Sequence, residues 1–70
     1  MEFSEKAAIR IEHWMEHNAS HLRDYEKFAA QLDEARAGRS AAHIRELAEL
    51  TRKIDDCLRK ALAVLEDAEA

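Results

Sequence analysis

Three of the chain's four histidines fall within nine residues, His13-Trp14-Met15-Glu16-His17-Asn18-Ala19-Ser20-His21, at successive steps of four. On an α-helix, residues four apart stand on adjacent turns of one face, and two imidazoles so placed can share a metal ion. Three in succession drift by about 40° per step at 3.6 residues per turn. His13, His17 and His21 are therefore expected to form a slanting row, in which neighbouring pairs are better placed to chelate than the full trio. Cys57 is the only thiol. Imidazole with thiolate is a borderline-soft donor set that suits Zn, Ni or Cu, and Asp24, one turn beyond His21, offers an oxygen. No zinc-finger, HExxH or paired-cysteine spacing accompanies these residues, and no Gly-rich phosphate loop.

The elements that would position them are two helices. The only strong punctuation is Ala37-Gly38-Arg39-Ser40. Gly38 suits the left-handed residue just past a helix end, Ser40 a cap for the next helix, and Arg36 the last turn, where a cation complements the helix dipole. Ser4 is a candidate first cap with Glu5 behind it. These signals predict a helix over about 5–36, a turn over 37–40 and a helix over about 41–69. That is a single all-α domain, 1–70, folded as an antiparallel two-helix hairpin.

Heptad spacing predicts the seam. In the first helix Ala7, Ile11, Trp14, Asn18, His21, Tyr25, Phe28, Leu32 and Ala35 alternate in steps of four and three; in the second, Ile44, Leu47, Thr51, Ile54, Leu58, Ala61, Leu65 and Ala68 do so. On this reading Trp14 and Tyr25 are core, His21 lies in the seam, His17 at its edge and His13 toward water. Asn18 and His21 then form a polar layer that needs partners, because a buried unpaired polar group costs about 1–3 kcal/mol. With the turn centred near Gly38, His21 lies level with Cys57 and His17 with Lys60 or Ala61. Cys57 is placed on the core side of its helix. His17, His21 and Cys57 are thus the expected ligands, with His13 a further one.

A parallel run, Leu47, Leu50, Ile54, Cys57, Ala61 and Val64, widens the apolar face of the second helix. Two helices bury only the strip between them, leaving residues such as Leu50, Leu62, Val64, Met15 and Leu22 to find cover. So small a core rarely supplies more than about 3–5 kcal/mol alone. A homodimer, two hairpins forming a four-helix bundle, is the expected remedy. Glu49 with Lys53 and Asp56 with Lys60 are the expected pairs of a solvated face.

Composition narrows the classes. Of 70 residues 47% are apolar, but 14 of those 33 are alanine; charged residues make 37%, with one Gly and no Pro. This excludes collagen, a disulfide scaffold and a small β-barrel rich in turns. The net charge of −4 argues against nucleic acid, whose binding rests on basic side chains neutralising phosphates. No apolar run approaches the ~20 residues that span a bilayer, so no membrane partner is expected. No charged segment followed by an apolar one suggests a signal peptide, and a lone cysteine fits a reducing, cytoplasmic setting.

The string H-W-x-x-H-N-x-x-H formed by residues 13–21, followed by Tyr25, resembles one found in short prokaryotic helical-hairpin proteins of unknown activity. The resemblance covers about the first half of the chain and implies the hairpin fold. The H-x-x-x-H spacing is also similar to fragments of hemerythrin-like bundles, whose full ligand set this chain lacks. The expected function is a small homodimeric bundle binding Zn, Ni or Cu in sensing, storage or delivery. The alternative is a structural or adaptor module, engaging itself or another protein, in which Asn18 and His21 form only a polar core layer. No acid, base and nucleophile set points to an enzyme.

Overall fold

The helix-forming composition yields two helices of equal length joined by three residues. The computed structural model describes residues 2–69, and side chains over 2–67. It contains α1 (Phe3–Glu34) and α2 (Gly38–Glu69), 32 residues each. They pair antiparallel as an all-α hairpin measuring 52 × 17 × 11 Å. Among the described residues there is no strand, and no helix is long and apolar enough to cross a membrane.

The turn is sharper than expected and comes earlier. α1 ends at Glu34, and Arg36 takes the left-handed conformation, φ 63°. The Ala37 N–H donates to the Leu32 carbonyl at 2.8 Å and the Arg36 N–H to the Asp33 carbonyl at 3.0 Å. That pair of bonds is the Schellman arrangement, which satisfies the last carbonyls of a helix. Gly38, expected to supply the left-handed residue, instead opens α2 with ordinary helical backbone, while Ala41 N–H already reaches Ala37 O at 3.0 Å. Ser4 and Ser40 lie inside helices; Glu2 stands at the head of α1 and makes no side-chain cap bond. Neither expected serine cap forms; at the turn, backbone bonds close the end of α1 and Ala37 O accepts the first bond of α2.

The seam also differs by one residue in every second position. The side chains withdrawn from water along the seam of α1 are Ala7, Ala8, Ile11, Met15, Asn18, Leu22, Tyr25, Ala29 and Leu32, with Ser4, Ala19 and Ser20 partly covered beside them. Their partners on α2 are Ala41, Ile44, Ala48, Thr51, Asp55, Leu58, Leu62 and Leu65. Ile11, Asn18, Tyr25 and Leu32, with Ile44, Thr51, Leu58 and Leu65, stand where the spacing puts them. Trp14, Phe28, Leu47, Ile54, Ala61 and His21 do not: each sits one position off the seam, with Trp14 50%, Phe28 49% and Ile54 51% exposed. Expected Ala68 lies outside the described side chains. Met15, Leu22 and Leu62, expected as leftover surface, are drawn into the seam instead.

Ion pairs line one edge of the rotated seam. Arg45 pairs with Asp33 and Arg52 with Glu26 across the hairpin, the latter at 3.1 Å. Glu49 turns to Arg52 and Asp55 to Arg59 within α2, rather than Glu49 to Lys53. These pairs hold one edge of the interface together. The fully buried residues beneath them, Ala29, Ala41 and Ala48, are small enough for the backbones to approach closely. The larger side chains are rolled onto the opposite side.

The result is a thin core and an open face. A compact chain of this length has a radius of gyration of about 11 Å; here it is 16.0 Å. A folded monomer of 8.0 kDa exposes about 4,450 Å², whereas this chain exposes 5538 Å². The excess, roughly 1,100 Å² by that scaling, exceeds the ~800 Å² each partner gives to a standard interface.

The turn yields a direct test. A side chain at left-handed Arg36 carries a steric penalty that glycine lacks, while Gly38 sits in helix where an added Cβ meets nothing within 4 Å. Arg36→Gly and Gly38→Ala should each stabilise the chain by roughly 0.5–1 kcal/mol, read by urea denaturation. Destabilisation by Arg36→Gly would mean that another residue closes the turn.

Candidate metal centre

The histidine row is built by α1 alone, and it slants as the helical drift requires. His13 and His17 have ring centroids 6.3 Å apart and tilted by 58°; His17 and His21 stack at 4.5 Å with 29° between planes; His21 lies 5.8 Å from Tyr25, nearly parallel at 9°. The four rings climb from His13, on the solvent side, to Tyr25 in the seam. Tyr25 is half-buried and the three histidines are exposed. His21 is therefore not a seam residue, as the heptad reading had it. Its ring lies between those of His17 and Tyr25, at the exposed edge of the seam.

The tightest pair borders an open groove. Trp14, His17, Asn18 and His21 of α1 line it together with Ile54 and Leu58 of α2. The register is thus within about a turn of the expected one, with His21 beside Ile54 rather than Cys57. Cys57 is exposed on the outer flank of α2, not on its core side. Among the described residues, no three or more His, Cys, Asp or Glu side chains gather into a group that could hold a metal. One chain therefore presents a pair of imidazoles. A tetrahedral ion needs four donors, or three and a water.

The polar layer exists, with different members. Asn18 Nδ2 donates to the Thr51 carbonyl at 2.9 Å, and the Thr51 hydroxyl donates to the Leu47 carbonyl at 2.8 Å. A helical carbonyl has a second lone pair to offer, so Asn18 ties the helices together without disrupting α2. Thr51 is buried, and no buried side-chain polar atom is left without a partner among the described residues. Thr51 was visible in the sequence as a seam hydroxyl, but nothing in the spacing identified it as Asn18's partner, since the bond uses its backbone oxygen.

A family model described as Domain of unknown function (DUF8180) matches residues 7–65. The chain belongs to this family. The DUF8180 match takes in His13, His17 and His21 with Asn18, Thr51 and Cys57. No curated protein and no solved structure matches the chain.

The Asn18 bond separates donor from acceptor. Asn18→Asp sets a carboxylate oxygen against the Thr51 carbonyl and should destabilise the hairpin by about 1–3 kcal/mol. Asn18→Leu removes the bond but orphans no donor, and should be neutral or stabilising. Thermal melts of both variants check the order; equal melting temperatures would remove the Asn18–Thr51 bond from the account.

Proposed function

We propose that the chain works as a homodimeric helical bundle that binds a divalent transition metal, Zn, Ni or Cu, through His17 and His21. The role fits sensing, storage or delivery in a reducing, cytoplasmic setting, where an exposed Cys57 thiol persists. The observation that carries the reading is the stacked His17–His21 pair, at 4.5 Å, exposed and bordering an apolar groove. Imidazole is the donor these metals share. The net charge of −4 favours a cation. Within a single chain the further donors would have to be His13, through a swing toward His17, and Cys57, from the flank of α2. The dimer is supported by the excess surface and by the exposed Trp14, Phe28, Leu50 and Ile54.

A second reading is favoured by the Asn18–Thr51 bond. Polar layers in helical bundles fix register, and a structural or adaptor module needs no more than that layer and an apolar face for itself or another protein.

Metal uptake discriminates the two. Binding should raise the melting temperature by mass action and weaken in acid, since imidazole must be neutral to ligate. His17→Ala and His21→Ala should remove the shift; His13→Ala should reduce it little. Trp14, the sole tryptophan, lines the same groove, so Cu(II) should quench its fluorescence. No shift with Zn, Ni or Cu would leave the adaptor reading. Sedimentation equilibrium at micromolar concentration should give twice the chain mass; a stable monomer would remove the dimer from the proposal.

A further inference from the structure

We infer that two copies of the chain complete one four-imidazole metal site on their twofold axis, His17 and His21 from each. The inference rests on the metal reading above and fixes where the missing ligands come from.

On α1 the row Arg10, His17, Asp24, at seven-residue spacing, runs beside Trp14, His21 and Phe28. The facing rows of α2, from Leu47 to Val64 at the same spacings, hold no charged residue. Arg10 and Asp24 are thus the two charges of these rows, one of each sign. They lie 14 residues apart, about 21 Å along the helix, too far to meet within one chain. Among the described residues neither makes an ion pair.

Two hairpins can close face to face in two twofold ways. In one, α1 lies on the partner's α2; Arg10 and Asp24 then each meet the uncharged rows, and both charges are covered unpaired. In the other, α1 lies antiparallel on the partner's α1. With α1 spanning Phe3–Glu34, full overlap puts the axis between residues 18 and 19. Arg10 then comes within about one turn, roughly 5 Å along the axis, of the partner subunit's Asp24, and the mirror pair forms by symmetry. Like-charge or unpaired burial is unfavourable, so charge selects this second arrangement.

The same overlap decides the site. The axis falls between His17 and His21, so His17 stands level, within a residue, with the partner subunit's His21. Two chelating pairs approach from opposite sides, which supplies the four donors that one chain lacks. On α2, Ile54 packs at the axis against its own copy, and Leu50 comes level with the partner subunit's Cys57. Cys57 is thereby assigned to packing, not ligation. The excess surface, above the ~800 Å² of a standard interface half, is what such a face would cover.

Zinc titration of the intact protein, followed by calorimetry and native mass spectrometry, tests the site. The expected break is one zinc per two chains, absent in His17→Ala and His21→Ala and kept in Cys57→Ser. A break at one zinc per chain overturns the shared site but leaves His17–His21 as a chelating pair; no zinc uptake overturns both. Charge exchange tests the arrangement without metal. Arg10→Glu or Asp24→Arg alone should weaken dimerisation about three- to tenfold at low salt, and the double exchange should restore it. Singles without effect, or a double that fails to recover, overturn the antiparallel α1 pairing.

Discussion

The close approach of two alanine-lined helix edges is the constraint on which the rest of the hairpin depends. Ala29, Ala41 and Ala48, with Thr51, are the buried side chains, and no bulky residue can take the place of the alanines without pushing the backbones apart. Once the helices meet on those edges, the ion pairs Arg45–Asp33 and Arg52–Glu26 lie along one side. Trp14, Phe28, Leu47 and Ile54 are then left on the other. Burial of large apolar surface stabilises a fold at about 25 cal/mol per Å². A chain that buries alanine internally and displays tryptophan leaves most of that stabilisation unrealised within one hairpin.

Much of this was legible in the sequence, and the part that was not has a definite cause. Every seventh residue from Ile11 to Leu32, and from Ile44 to Leu65, belongs to the seam on any reading. The undecided residues are those three and four positions on, Trp14 against Met15, His21 against Leu22, Phe28 against Ala29, Ile54 against Asp55. In Trp14–Met15 and Phe28–Ala29 both members are apolar, so periodicity gives them equal weight. The helices meet on the smaller side chains Ala29, Ala41 and Ala48, and Asp33 and Glu26 face Arg45 and Arg52 along that edge; a count of apolar spacing weighs neither. Asp55 entered the seam against its polarity because its carboxylate turns out to Arg59.

The turn and the site follow the same pattern. Glycine is the ordinary left-handed residue past a helix, and Gly38 was read so; the chain uses Arg36 two residues earlier, because Ala37 must stay close to Leu32 and Ala41 must reach the seam. The slant of His13, His17 and His21 was fixed by helical drift alone and is reproduced ring by ring. Cys57 lies on the wide apolar side of α2, which spacing places inward and which the hairpin leaves exposed.

The alanine edge has a further consequence, in how the hairpin comes apart. Its driest residues, Ala29, Ala41, Ala48 and Thr51, all lie in the half nearest the turn, while Phe3 and Val64 at the far end stand largely in water. Local opening follows burial, so the structure behaves as a pair of tongs: a rigid hinge at Arg36, and arms that loosen toward their tips. The His17–His21 pair sits at mid-arm, where the dry half gives way to the wet one. Anything that grips there shortens the free length of the tongs, and amide protection would advance outward from the turn as it takes hold.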